Sequence, residues 1–154
     1  MKNLLITIST ALIFSIAPAH AQQIDDWEYF PNVDPMTDQD NSHVMMMSDE
    51  GGALAFKCFS GKLTGLVFAG KYLGNERAYM QYRFDDEPMR DGRFYIAPSG
   101  TLIKISDSSF IESALSGSQV IVRLNDYRDR VAGVHTFSLR GSYDATGLLS
   151  CVGQ

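Results

Sequence analysis

The chain is poor in the residues that carry most chemistry. Its 154 positions hold three histidines, two cysteines and one tryptophan. No C-x-x-C pair is present, which removes the usual redox and zinc spacings, and no G-x-S-x-G elbow places a serine nucleophile. Lys and Arg number 13 against 18 acids, and no basic run occurs, so phosphate backbones and anionic lipid have no concentrated countercharge to attract them. Nucleic acid is therefore excluded as an expected partner. No apolar run is long enough to span the roughly 30 Å of a bilayer interior, and no repeat or low-complexity stretch interrupts the chain.

The N-terminus has the layout of a cleavable export leader. Lys2 is followed by an apolar run from Leu4 to Ile16, a break at Pro18 and the small-residue site Ala19-His20-Ala21. Cleavage after Ala21 leaves residues 22–154, which suit one β-rich domain without a transmembrane anchor. Because only Lys2 is lost, the formal charge moves from -5 to -6. The expected location is the periplasm or the exterior, where thiols are oxidised. Cys58 and Cys151 are then expected to pair, and a bridge across their 93-position separation would stabilise by about 4–5 kcal/mol in the chain-entropy view.

Past a polar, Asp-rich lead from Gln22 to Ser42, read as extended and irregular, short apolar runs alternate with glycine-bearing turns. His43–Ser48, Ala53–Phe59, Leu63–Ala69, Arg77–Phe84, Arg93–Ala97, Thr101–Ile105, Gln119–Asn125 and Val131–Leu139 read as strands. Leu54, Phe56 and Cys58 share an inward face, as do Ala78, Met80, Tyr82 and Phe84, while Lys57, Arg77, Gln81 and Arg83 point away. Ser109 and Glu112 have capping-box spacing for a short helix stopped by Gly117, and Ser142–Cys151 suits a second. The gaps are too short for helical crossovers. The fold expected is mainly β: an antiparallel, meander-rich sandwich with one or two short helices near the C-terminus.

Candidate sites are few. The acids of Asp34–Asn41 resemble a calcium loop, but counting from Asp38 places His43 where glycine is needed and Asp49 where the anchoring glutamate belongs, so a solvated turn is expected. His43 and His135 read as structural, His135 in register with Phe137 and Leu139. Met45, Met46 and Met47 alternate faces and cannot make one stripe. Asp85, Asp86, Glu87 and Asp91 bracket Pro88 in a hairpin turn; a glycosidase pair there is the third-ranked reading. No catalytic residue, cofactor or metal is expected.

Trp27, "DPMTD" at 34–38, "LAFKC" ending at Cys58, "YRFDDEP" at 82–88, "VIVRL" at 120–124, "TFSLRG" at 136–141 and Cys151 follow one another in an order that resembles the VasI/TagO family of periplasmic proteins associated with type VI secretion. The resemblance implies a non-enzymatic envelope protein that works by binding other proteins, with Cys58 and Cys151 as the family disulfide. It also implies Arg83 and Asp85, together with Asp34 and Asp38, as candidate partner-binding residues, and envelope or secretion-apparatus proteins as partners. The alternative function is an inhibitor of lysozyme-like cell-wall hydrolases, presenting Ser60-Gly61-Lys62 or Pro98-Ser99-Gly100 to a cleft.

Overall fold

The computed structural model describes residues 21–152; the expected export leader falls outside them except for Ala21. Antiparallel strands dominate, in the order β1 (Gln22–Ile24), β2 (Trp27–Phe30), β3 (His43–Met47), β4 (Ala53–Phe59), β5 (Lys62–Phe68), β6 (Arg77–Phe84), β7 (Arg90–Ile96), β8 (Leu102–Ile105), α1 (Ser108–Ser116), β9 (Gln119–Asn125), β10 (Val131–Ser138) and α2 (Ser142–Thr146). Hydrogen bonding runs through one ten-stranded sheet, β1-β2-β3-β4-β5-β8-β7-β6-β9-β10. β1 to β5 form a meander in chain order, and the later strands join it through β5 and β8. Among the described residues no helix is long and apolar enough to cross a membrane.

The alternating pattern works as the sequence predicts. On β6, Ala78, Met80, Tyr82 and Phe84 are buried while Arg77 and Arg83 are exposed, and on β9 Val120, Val122 and Leu124 are buried. Two-residue periodicity puts each of these sets on one side of the pleat. A two-residue turn follows the same logic: Ser60 and Gly61, with φ of 49° and 73°, join β4 to β5, because positive φ at both central residues matches the twist of a hairpin.

The inner side is closed by aromatic packing. Phe110 on α1 has no exposure and lies 5.1 Å from both the Tyr82 and the Phe84 rings, edge-on in each case. Trp27 stacks on Phe56 at 5.4 Å, also fully buried. Removing a ring from such a site costs about 3–5 kcal/mol. α2 sits beside α1, where the Ser142 hydroxyl donates to the Ala114 carbonyl at 2.8 Å. Beyond α2, Cys151 is bonded to Cys58 at the end of β4, which ties the segment after the last strand to the first half of the sheet.

Two local expectations are corrected. The lead from Gln22 to Ser42 is not irregular throughout, since β1 and β2 pair with one another and β2 pairs with β3. Trp27 supplies the burial that the surrounding aspartates hide from a composition-based reading. The cap of α1 is Asp107 rather than Ser109: its carboxylate accepts from the amides of Ser109 and Phe110 and from the Ser109 hydroxyl. Those bonds hold Asp107 below the usual carboxylate range, the Ser109 hydroxyl being the largest cause, and a charged acceptor at a helix start is favoured over a hydroxyl by the helix dipole. Gly117 ends the helix as expected, with extended backbone.

Replacing Cys58 or Cys151 by serine is expected to lower stability by about 2–5 kcal/mol. Guanidinium unfolding of each single variant and of the double variant checks this. The double variant should be no weaker than either single one, because each single change already breaks the only bond at stake.

Candidate functional site

Arg83 and Asp85 leave the end of β6 in different directions. Arg83 is exposed on the outer side. Asp85, at φ 42°, turns its carboxylate onto the segment between α1 and β9. It accepts from the Ser118 amide at 3.1 and 3.2 Å and from the Gln119 amide at 3.0 Å, while its own amide donates to the Gln119 carbonyl at 3.0 Å. Aspartate is one of the few residues that adopt this left-handed backbone readily. Asp85 is therefore a clamp on the β9 entry, and its oxygens are occupied by backbone. Asp91, the other carboxylate considered for glycoside hydrolysis, accepts the Tyr79 hydroxyl at 2.8 Å; that bond to the neutral phenol raises the Tyr79 pKa.

Asp34 and Asp38 lie in a self-bonded loop. Asp34 Oδ1 accepts from the amides of Met36 and Thr37, and the Asp34 carbonyl accepts from the Asp38 amide. An isolated bridge pairs Val33 with Asp40. Asp40 in turn accepts from the Ser42 amide, and its pKa is held down chiefly by Ser42. Asp34 and Asp40 thus commit carboxylate oxygens to the loop's own amides. At its tip Met36 is 90% exposed. The loops considered for an inhibitor are short: Ser60-Gly61 is the tight hairpin, and Gly100 is buried, its carbonyl accepting the Leu73 amide at 2.7 Å.

One buried polar pair was not visible in the sequence. Ser48, just after β3, and His135 on β10 meet with 3.2 Å between Ser48 Oγ and His135 Nδ1, and Ser48 Oγ also accepts the Gly52 amide at 3.0 Å. Both residues are buried, at 7% and 3% exposure. Among the described residues no partner meets hydrogen-bond geometry at His135 Nε2. A Cβ at Gly52 would stand 2.5 Å from Nδ1, and one at Gly133 2.5 Å from Nε2, so two glycines make room for one ring. Burial holds the imidazole below its ordinary range, opposed by the charge of Glu50. Glu50 itself accepts from the Thr136 amide at 3.4 Å. The pair is a seam between the β3–β4 turn and β10.

The open site is on the outer side of β6, β9 and β10. Register places Arg83 opposite Ile121 and Gln81 opposite Arg123, with Val134 beyond Arg123. These residues, with Met89 from the β6–β7 turn, line a depression of about 240 Å³. The Arg123 guanidinium reaches only the Gln81 amide oxygen, at 3.3 Å. Among the described residues neither Arg83 nor Arg123 makes an ion pair; the four ion pairs use Arg90, Arg130 and Arg140. The larger groove between the end of α1 and α2, about 580 Å³, differs because its one cation, Arg140, is already paired with Asp25 and Asp26. Sequence reasoning found Arg83 and missed Arg123, which stands 42 residues from Gln81 and is brought beside it by β6–β9 pairing.

No family model and no curated protein matches the sequence. A fold likeness is found to the crystal structure of invasion associated protein B from Bartonella henselae, with a TM-score of 0.58 and 10% identity, covering 84% of this chain and 94% of that one. At that identity the likeness is one of fold alone.

Two outcomes follow from the buried and clamped groups. The unfolded His135 takes up a proton near pH 6.5, whereas the folded one resists it, so stability is complete above that pH and falls as pH drops below it. Thermal melts from pH 8 to pH 5.5 should show this fall in the parent and a flatter profile in His135→Gln. Separately, Asp85→Ala is expected to cost about 1–3 kcal/mol through lost amide bonds and left-handed strain, with Asp85→Asn costing less, as read by chemical denaturation.

Proposed function

We propose that the chain is a non-enzymatic protein-binding module of the cell envelope, an accessory to an assembly of the type VI secretion kind. The observation that carries this reading is the outer depression on β6 and β9. There two arginines without an ion-pair partner flank Ile121, with Met89 and Val134 exposed at 56% and 42%. Mixed apolar and arginine surface with spare hydrogen-bonding capacity is what protein interfaces favour. The Cys58–Cys151 bond supports an oxidising compartment. The ordered residue likeness from Trp27 to Cys151 supports the secretion-associated role.

A photo-crosslinking residue at position 121, in cells, tests the reading against the same residue at position 143, which is exposed on α2. Adducts with one defined envelope protein from position 121 and none from position 143 are expected. Equal adduct patterns from both positions, or no adduct from 121, would overturn the assignment of this face as the binding face.

A further inference from the structure

The chain is acidic overall, yet its charges are sorted by face. Register sets the outward positions of three adjacent strands: Arg93 and Asp91 on β7, Arg77 and Arg83 on β6, Arg123 on β9. Four arginines share these rows with Asp91, which is held by Tyr79; Arg77 and Arg93 line a depression with Glu76, Asp126 and Asp129, whereas the depression at Arg83 and Arg123 is lined by no carboxylate. Arg77 is also committed, stacked 4.2 Å over the Tyr95 ring. Arg83, Arg93 and Arg123 remain without an ion pair among the described residues. A protein of formal charge -5 that gathers unpaired guanidinium groups in this way presents its local countercharge to something anionic.

We infer that the outer face of β7, β6 and β9 binds an extended acidic peptide segment of the partner protein. Its carboxylates, two residues apart, sit on Arg83 and Arg123, with a neighbouring apolar side chain against Ile121, Met89 and Val134. Arg83 and Arg123 are diagonal neighbours across the β6–β9 pair, a separation of about 7–8 Å in an antiparallel ladder. Side chains two apart on an extended peptide repeat at about 6.6 Å, so alternate carboxylates meet the two guanidinium forks, each suited to bidentate pairing. The apolar wall beside the arginines favours a peptide over a lipid headgroup or a free phosphate, neither of which brings an apolar group at that spacing. This inference rests on the protein-binding reading above and adds the chemistry of the partner.

The test is an NMR titration of isotope-labelled protein, residues 22–154, with a short serine- and glycine-rich peptide carrying two glutamates in alternate positions beside a leucine. Saturable shifts are expected at Arg83, Ile121, Arg123 and Val134, weakening as salt rises from about 50 to 300 mM. The glutamine version should give none. Arg83→Glu and Arg123→Glu should each weaken binding at least about tenfold, while Arg128→Glu, exposed elsewhere beside Tyr127, should leave it unchanged. These arginines are exposed, and unchanged near-ultraviolet circular dichroism verifies folding of each variant. Equal shifts from the glutamate and glutamine peptides, insensitivity to both reversals, or binding to phosphatidylglycerol vesicles in place of the peptide would overturn the inference. Its failure is separable from that of the binding module: crosslinks from position 121 without glutamate-dependent shifts reject the acidic partner class alone, and absent crosslinks reject the face.

Discussion

A ten-stranded antiparallel sheet has to manage two edges, and the contact between Ser48 and His135 is where this sheet manages one of them. The imidazole of β10 reaches into the turn that joins β3 to β4, takes the place of two side chains that Gly52 and Gly133 lack, and meets a hydroxyl already engaged by backbone. The β10 edge is thereby brought against the β3–β4 turn instead of standing open as a template for another strand. Near the other edge the same closure is charged: the Ser138 hydroxyl donates to Asp26 at 2.6 Å, and Arg140 lies within 4.0 Å of Asp25 and Asp26. The buried seam ties β10 to the β3–β4 turn, and the exposed ion pairs add little beyond orientation.

Packing decides what is inside and what is left for function. Inner positions of both halves pack on one another and on α1, so the aromatics Trp27, Phe56, Tyr82, Phe84 and Phe137 are consumed by the core. The outer positions are left facing solvent, and charge separates among them by strand. Turns take the aspartates, four of which adopt positive φ (Asp25, Asp38, Asp85 and Asp129), while the outer rows of β6, β7 and β9 take the arginines. An acid-rich chain can carry a cationic face because its acids are the residues best able to make its turns. Asp126 shows the economy of this: it binds the amides of Arg128 and Arg130 and the Arg130 guanidinium within a single loop.

What the sequence disclosed follows the range of the interactions involved. Strand periodicity is local, and β6 and β9 were legible to the residue because each buries one unbroken row of apolar side chains. The disulfide was legible because two cysteines leave one pairing. β1 and β2 were not, since their strand character depends on partners in β3 and on the burial of a single tryptophan among acids. The cap at Asp107 was missed because serine and aspartate compete for that role and only the backbone geometry decides. Ser48 with His135, Asp85 with Ser118, and Gln81 with Arg123 are all contacts between residues distant in sequence. Each is set by register, and register is written in no short motif.

The bond from Cys58 to Cys151 encloses the last six strands and both helices, and this has a consequence for timing. A chain made from its N-terminus presents Cys58 first and must complete all of β5 to β10 and both helices before its mate arrives. Oxidation of this pair is therefore a record of completion. A molecule stopped short of residue 151 keeps a thiol at the end of β4, chemically marked as unfinished and open to capture by any thiol-exchange enzyme it meets.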